Sequence, residues 1–403
     1  MISSLRGMND ILGKEYRAFT YFLDVATAIA KKYSFEYIQT PILEETALFK
    51  RSVGESSDIV GKEMYQFIDK GQNDVCMRPE GTAGVVRAFV QKKLDRAGGV
   101  HRFYYHGPMF RYERPQKGRL RSFNQFGIES FGEDSVYEDA MLISMVDEIL
   151  KTLGISYILK LNSLGCSECV PKYRAKLVDF VTPLKDEICE DCKRRLEANP
   201  LRVLDCKNEK CQTLYKNAPL ITENLCKSCD DDFAKLKDIL NKNNISFELD
   251  PNLVRGLDYY SKTAFEFISD EIGSQSAIAG GGRYDKLVEF LDGKATPAVG
   301  FAMGIERLLE LIKMPQDSRE GYYMGAMDDG VIDTLFSIAT KKRKTDKLYL
   351  EYKTKNLKNH LKAADRVGAK YCAIIGENEI KNGTIWVKNL VDKSETNIKV
   401  EEF

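Results

Sequence analysis

Between Tyr16 and Lys32, apolar residues return at helical spacing (Phe19, Phe22, Leu23, Val25, Ala26, Ile29 and Ala30), which predicts an amphipathic helix. Phe35-Glu-Tyr-Ile-Gln-Thr-Pro-Ile-Leu43 then reads as strand and turn, and Glu138–Leu153 as a second amphipathic helix. Strand and glycine-rich patterns fill 246–304, with a helix expected over 305–313. A polar stretch, Met314–Asp329, reads as a linker. Beyond it, Lys347-Leu-Tyr-Leu-Glu-Tyr, Tyr371-Cys-Ala-Ile-Ile-Gly and Gly383-Thr-Ile-Trp-Val-Lys are strands, with an Asn356–Val367 helix between the first two. The pattern predicts a mixed α/β (α+β) core over 1–320 and a small α/β domain over 330–403.

Composition narrows the class. Of 403 residues, 43% are hydrophobic and 30% charged, which fits a globular chain of two or three domains and excludes disordered or collagen-like chains. Lys+Arg and Asp+Glu both number 60, so a uniformly basic nucleic-acid coat is excluded. A local excess remains: Lys341–Lys370 holds 11 Lys/Arg against three Asp/Glu, a pattern that suits either a nucleic-acid phosphate surface or a solvated helix face. No run of 18 apolar residues occurs, and the first ten residues lack an apolar signal core. A cytoplasmic protein without membrane contact is expected. Only three histidines are present, which leaves little material for histidine-based metal or triad chemistry.

Eight of the ten cysteines fall between 166 and 229, as Cys166-x-x-Cys169, Cys189-x-x-Cys192, Cys206-x4-Cys211 and Cys226-x-x-Cys229. In a reducing cytosol these are not expected to form disulfides, and thiolate pairs at this spacing suit structural Zn²⁺. Four pairs can make two sites, one or none. The surrounding polar segment, 166–233, reads as an insertion too small to bury a large core.

Phosphate-binding glycine loops are missing. Gly7…Gly13-Lys14 and Gly54…Gly61-Lys62 have one and two residues too many for a P-loop, and each continues with a glutamate where a hydroxyl is needed. If nucleotide binds, arginines must hold it. The stretch from Phe103 to Glu129 offers them. It reads as strand, loop and strand, with Arg111 and Glu113 on one face of the first strand and Phe123, Gln125, Gly127 and Glu129 on one face of the second. Its loop carries Arg114, Lys117, Arg119 and Arg121. An aromatic ring, carboxylates and guanidiniums together suit base stacking, amino-group recognition and triphosphate binding.

Phe110-Arg111-Tyr-Glu113 with its Arg-rich loop resembles motif 2 of the class II aminoacyl-tRNA synthetases, and Pro297-Ala-Val-Gly300-Phe-Ala-Met-Gly304-Ile-Glu-Arg307 resembles motif 3. Four further blocks resemble the histidyl-tRNA synthetase family, of bacterial type: Arg6-Gly-Met-Asn-Asp10, Arg78-Pro-Glu80-Gly81-Thr82, Leu253-Val-Arg255-Gly256-Leu-Asp258-Tyr259-Tyr260 and Ala279-Gly280-Gly281-Gly282-Arg283-Tyr284-Asp285. The blocks run in order along essentially the whole chain.

The resemblance implies a class II antiparallel-sheet catalytic core, an inserted helical, Cys-rich subdomain and a C-terminal anticodon-binding domain. It implies that L-histidine and ATP form a histidyl-adenylate, which is then passed to tRNA(His). Arg111 and Arg255 become the catalytic cations at the α-phosphate. Glu113 takes the adenine amino group, Phe123 stacks on the base, Arg307 contacts phosphate and adenine, and Arg119 or Arg121 meets the distal phosphates. Glu80, Thr82 and Gln125 hold the α-amino group of histidine, and Gly81, Arg111 and Arg255 also belong to the histidine-binding set. Glu129 and Tyr260 read the imidazole, with Tyr259 and Tyr284 lining its pocket. Mg²⁺ accompanies the β- and γ-phosphates, and the family is a homodimer through motif 1, matched loosely by Phe35–Leu43. Two rivals remain open here. One is the synthetase-like regulatory subunit of ATP phosphoribosyltransferase. The other is a zinc-binding nucleic-acid adaptor centred on the cysteines.

Overall fold

The computed structural model describes residues 2–54, 57–206, 208–255, 257, 259–314 and 319–403, so Gly256 and Asp258 and part of the expected linker lie outside the described residues. The chain divides into two compact units, Met1–Lys313 and Met314–Phe403.

In the first unit an eight-stranded sheet runs in the order Glu36–Tyr37, His101–Phe110, Ser122–Phe131, Ala298–Gly304, Ala277–Arg283, Ser261–Ile268, Ile158–Ser163 and Glu248–Leu249. The six inner strands are antiparallel to their neighbours, and the two-residue edges pair in parallel. Period-two alternation splits the sheet chemically. Phe126 and Ile128 point into an apolar layer with Phe22, Ile29, Leu142, Val146, Leu236 and Leu240 from the helices Gly13–Lys32, Val136–Thr152 and Lys227–Lys242. Phe123, Gln125, Gly127 and Glu129 face the other way, as their spacing predicts, towards a smaller cluster containing Tyr105, Tyr259 and Tyr284.

The helix Val136–Thr152 starts on Ser135, whose hydroxyl accepts from Tyr137 N at 3.3 Å, with Glu138 and Asp139 in its first turn where the helix dipole favours anions. Asp139 is fully buried and accepts from Arg283 Nε at 2.7 Å; Arg283 also donates to the carbonyls of Glu133 (3.1 Å) and Ser135 (2.8 Å). This buried ion pair ties the glycine-rich strand to the layer of helices.

The insertion, as expected, has no large core, but it runs past its expected end. It buries a small core of its own, with Tyr173, Leu177, Val181, Ile188 and Val203 packed around Cys192, Cys206 and Cys211. Its last helix, Lys227–Lys242, runs nine residues past the expected end at 233 and packs into the main core.

The second unit is a five-stranded sheet in the order Leu348–Leu350, Tyr322–Ala326, Tyr371–Ile375, Thr384–Asn389 and Glu395–Lys399, with helices Ile332–Lys342 and Leu357–Arg366. The stretch read as a linker therefore supplies an inner strand. Tyr322–Ala326 pairs in parallel on both sides and is buried over four of its five residues, so it shows no alternation to mark it. The helix expected over 305–313 is only Ile305–Leu309. His360 is a satisfied core residue: Tyr323 OH donates to Nδ1 at 2.8 Å and Nε2 donates to Ala326 O at 2.9 Å, while burial lowers its pKa. Among the described residues no helix is long and apolar enough to cross a membrane.

Replacing Arg283 by Met strands the Asp139 carboxylate in the core. The expected cost is about 3–5 kcal/mol of stability, read from urea unfolding, because an uncompensated buried charge is left behind.

Candidate active site

A cavity of about 250 Å³ opens on the polar face of the large sheet. Of the residues singled out from the sequence, Glu80, Thr82, Arg111, Glu113, Arg119, Phe123, Gln125, Arg255, Tyr259, Tyr260 and Arg307 line it. They come from the hairpin, the 78–82 loop, the 253–260 segment and the start of the Ile305–Leu309 helix, and only the fold brings them together.

Arg111 and Glu113 lie just past the end of the first hairpin strand rather than within it, although Arg111 N still donates to Arg121 O at 3.0 Å. Arg111 Nε donates to Pro79 O at 2.9 Å, and its guanidinium sits 5.2 Å from the centre of the Phe123 ring. Arg119 forms an ion pair with Glu113 inside the cavity. Arg121 does not line it: its guanidinium stacks 3.8 Å over Tyr112 and its backbone N–H bonds Gly7 O at 2.8 Å. Gly7 itself stands at φ +80°, and a Cβ there would strike Pro115, so the Arg6–Asp10 block docks on the loop through a residue that only glycine suits. Of these two loop arginines, Arg119 is the one in the cavity lining.

Arg255 donates to Glu266 Oε1 at 2.7 Å, and its Nε is buried without a partner among the described residues. Burial alone pulls its pKa down, but Glu266 and Tyr260 outweigh that and hold it above normal, so it stays a cation. The guanidinium lies against Gly280 so closely that any Cβ there would overlap it. The glycine run thus clears a seat for Arg255. Arg307 donates to Gly118 O at 2.8 Å and to Ala277 O at 2.6 Å; burial and then Arg111 and Arg119 lower its pKa, which marks a field ready for anions.

Glu129 and Tyr284 are wholly buried and are not part of the cavity wall. Glu129 accepts from Thr82 Oγ1 at 2.7 Å, from Tyr105 OH at 3.2 Å and from Tyr284 OH. Burial pushes its pKa up to about 8 against the pull of these hydroxyls. Tyr260 packs on Tyr259 with ring centres 4.8 Å apart, and Arg255 lies 5.6 Å from the centre of its ring. Glu80 accepts from the N–H groups of Thr82 (2.7 Å) and Ala83 (2.9 Å), and a Cβ on Gly81 would overlap Tyr105. Among the described residues Gln125 Oε1 and Tyr259 OH are buried without hydrogen-bond partners, one acceptor and one hydroxyl in the lining of the same cavity.

Sequence reasoning missed three groups. Glu266 holds Arg255; the period-two position of a lone glutamate in an apolar strand was the available signal. Glu306 accepts from Asn124 N at 2.8 Å and Nδ2 at 2.8 Å, clamping motif 3 to the hairpin. Tyr105 had no signal beyond its place opposite Gly127.

The eight clustered cysteines gather into two groups of four, Cys166, Cys169, Cys226 and Cys229, and Cys189, Cys192, Cys206 and Cys211. None of the eight is in a disulfide.

A family model described as histidyl-tRNA synthetase matches residues 7–308, and one described as an anticodon binding domain matches 337–403. The histidine–tRNA ligase of Sulfurimonas denitrificans is 73% identical over 403 residues, covering 100% of each chain. Among solved structures, apo S. aureus histidyl-tRNA synthetase aligns at a TM-score of 0.83 and 34% identity, over 100% of this chain and 98% of its own. A Bacillus halodurans protein described as an ATP phosphoribosyltransferase regulatory subunit/histidyl-tRNA synthetase aligns at 0.67 with 20% identity, over 93% and 98% of the two chains, a likeness of fold alone.

The raised pKa of Glu129 makes a stability prediction. Its folded-state value of about 8 exceeds the ordinary 4.5, so the folded chain holds the extra proton between these limits. Its contribution is complete below about pH 4.5 and is lost as pH rises through about 8. Glu129→Gln removes this titration. The stability of wild type relative to the variant should therefore fall steadily over that interval, measured as the difference in urea midpoints.

Proposed function

The chain belongs to the histidyl-tRNA synthetase family and charges tRNA(His) with histidine in translation; from that premise we propose how its residues divide the work. The fold is the class II synthetase core with a Cys-rich insertion and a C-terminal anticodon-binding α/β domain. The regulatory-subunit alternative gives way to the full-length 73% identity and to the anticodon-domain match, and the adaptor alternative leaves the arginine-lined cavity without a purpose. The observation that carries the mechanism is the convergence of Arg111, Arg255 and Arg307 on one cavity beside the buried Glu129.

In the first step, the histidine carboxylate attacks the α-phosphorus of ATP and pyrophosphate leaves. Negative charge builds on phosphoryl oxygens, so preorganised cations lower the barrier. Arg111 and Arg255 grip the α-phosphate from the hairpin and from the 253–260 segment. Their partners support this: Pro79 O and Glu266 fix the guanidiniums before substrate arrives, and among the described residues Arg255 Nε retains an unused donor. Adenine lies between Phe123 and Arg307, with its amino group on Glu113. Arg119 releases Glu113 to reach the distal phosphates. The carboxylates lining the cavity have partners already (Glu113 with Arg119, Glu266 with Arg255, Glu306 with Asn124, Glu80 with backbone N–H groups), so Mg²⁺ fits as a companion of the ATP phosphates and not as an ion held by a protein cage.

Histidine enters with its α-ammonium towards Gln125, Glu80 and Thr82, beside Gly81. Gln125 Oε1 supports this as a buried acceptor without a partner among the described residues. Glu129, from just behind the cavity lining, and Tyr260 take the two imidazole nitrogens; Tyr259 is the wall, and Tyr284 stands behind it on Glu129. In the second step, the terminal ribose hydroxyl of tRNA(His) attacks the adenylate carbonyl and AMP leaves. The second unit holds the anticodon arm through its basic stretch. Lys355 is engaged by Glu351, which leaves exposed residues such as Lys358 for phosphate. A homodimer fits the apolar face of a third, three-stranded sheet formed by Leu43–Glu45, Asp74–Met77 and Tyr65–Ile68, where Leu43 and Phe67 are 48% and 44% exposed on the same side. The cytoplasm is where this reaction belongs. Histidine-dependent ATP–pyrophosphate exchange, followed by tRNA(His) charging, tests the reading as a whole.

Arg255→Ala or Arg255→His should slow adenylate formation by about 2–4 kcal/mol of barrier, with histidine affinity less affected. Near-normal kcat in pyrophosphate exchange would remove Arg255 from the catalytic role.

Histidine affinity should carry a proton signature. Free imidazole titrates near ~6.5. Between that pH and about 8, neutral imidazole meets a protonated Glu129, and one proton serves the pair with none exchanged with solvent. Above about 8 a proton must be taken up, so affinity falls. Calorimetric titrations should show a plateau with a declining alkaline limb for wild type. Glu129→Gln should bind histidine far more weakly, keep its ATP affinity and lack that limb.

A further inference from the structure

The two cysteine groups are nested in the sequence, one lying inside the excursion that the other closes. In each, the four sulfurs lie within 4.8 Å of one another. Separations are 3.7 Å for Cys166–Cys169, 3.8 Å for Cys166–Cys226 and 3.7 Å for Cys189–Cys206. Four bonds of about 2.3 Å to a central ion require tetrahedral edges of about 3.8 Å. A disulfide would need about 2.05 Å. An iron–sulfur cluster hangs its thiolates on separate irons and needs a wider ring. The spacing therefore matches a single tetrahedral ion per group.

Backbone donors are aimed at the sulfurs as well. Cys226 N donates to Cys169 Sγ at 3.0 Å and Glu168 N to Cys166 Sγ at 3.4 Å. In the inner group Cys189 N donates to Cys211 Sγ at 3.3 Å and Asn208 N to Cys206 Sγ at 3.4 Å. Such N–H groups offset the charge of metal-bound thiolates and fix their orientation.

We propose that each group binds one zinc-class divalent cation, and that the two ions have different tasks. The outer site, Cys166, Cys169, Cys226 and Cys229, is a strut at the neck of the insertion. Cys166 follows the core strand Ile158–Ser163 by three residues, and Cys226 leads into the Lys227–Lys242 helix of the main core. The same neck is bonded to the substrate wall. Leu164 N donates to Lys262 O at 2.6 Å, and Lys262 N donates to Gly165 O at 2.7 Å. Lys262, held at φ +48°, stands two residues after Tyr260. The outer cysteines are thus positioning residues for the Tyr259–Tyr260 wall, a statement that rests on the ligase reading; the metal content does not. The inner site, with Cys192, Cys206 and Cys211 inside the insertion's own core, holds that subdomain alone. All eight ligands are thiolates, so neither site keeps a position for water or substrate, and both are structural.

Protein purified without added metal should carry about two zinc ions per chain by elemental analysis, and anaerobic exchange with Co²⁺ should give the absorption of tetrahedral four-thiolate sites. Cys226→Ser/Cys229→Ser and Cys189→Ser/Cys192→Ser should each retain about one ion. The outer variant should raise KM for histidine several-fold in pyrophosphate exchange with KM for ATP little changed, and the inner variant should do so much less. Zinc content of one ion or fewer in wild type, with thiols of either group titrating freely in the native state, overturns the two-site proposal. Equal histidine KM effects in the two variants overturn the strut. Should either variant fail to fold, wild-type metal content decides the first point. Chelator-driven release decides the second: rising histidine KM must follow exposure of Cys166 and Cys226 to alkylation, not that of Cys189 and Cys206. An enzyme inactive in exchange but holding two ions would reject the ligase mechanism and keep the sites.

Discussion

Placing one carboxyl group inside an apolar sheet constrains almost everything around the cavity. Glu129 has no exposed surface, and burial of an unsupported carboxylate costs several kcal/mol. The fold answers with three hydroxyls from three separate segments, Thr82, Tyr105 and Tyr284. The price is paid in side chains that cannot exist. A Cβ on Gly300 would overlap the Glu129 carboxylate, and Cβ atoms on Gly81 or Gly127 would overlap Tyr105. Three glycines in three blocks of sequence therefore serve one buried acid, and the blocks can be understood only as a set.

The cationic half of the cavity follows an opposite rule. A phosphate loop would supply backbone N–H groups from one short segment; here the charge comes from four side chains on three segments. Each guanidinium is fixed before substrate arrives, by Pro79 O, Glu266, Glu113 or the carbonyls of Gly118 and Ala277. Preorganisation of this kind lowers the reorganisation required as charge develops on a transferring phosphoryl group. It also explains why the glycine run matters at Gly280, which makes room for the Arg255 guanidinium rather than forming a turn.

How much of this was legible in the sequence depended on whether the signal was local. The alternation of Phe123, Gln125, Gly127 and Glu129 against Phe126 and Ile128 is a local period, and it gave the two faces of the sheet correctly. Tyr322–Ala326 was lost because a strand buried on both faces has no period, and its polar flanks masked a five-residue apolar run. Tyr105 was invisible because its role is defined by a partner 24 residues away across a strand register, and Glu266 showed only as a lone glutamate in an apolar strand, with nothing to name Arg255, 11 residues away, as its partner. Arg121 had the right composition and neighbourhood, but its stacking on Tyr112 is a tertiary choice. The cysteine spacing gave the ligands without their grouping, since Cys166 meets Cys226 only when a 60-residue excursion closes.

That closure bears on how the core and insertion evolve together. An insertion with its own apolar cluster could drift or be lost without touching the sheet, were it joined only by flexible chain. Here its entry and exit share one group of sulfurs, its exit helix contributes Phe233, Leu236 and Leu240 to the main core, and its neck is hydrogen-bonded to Lys262 beside the tyrosine wall. Strain at the insertion therefore has a short covalent and hydrogen-bonded route to the segment that carries Tyr259 and Tyr260. The distal cluster around Cys189, Cys192, Cys206 and Cys211 has no such bonds to the sheet strands among the described hydrogen bonds. Selection can act on that cluster through the surface it presents, while the neck answers to the chemistry of the pocket.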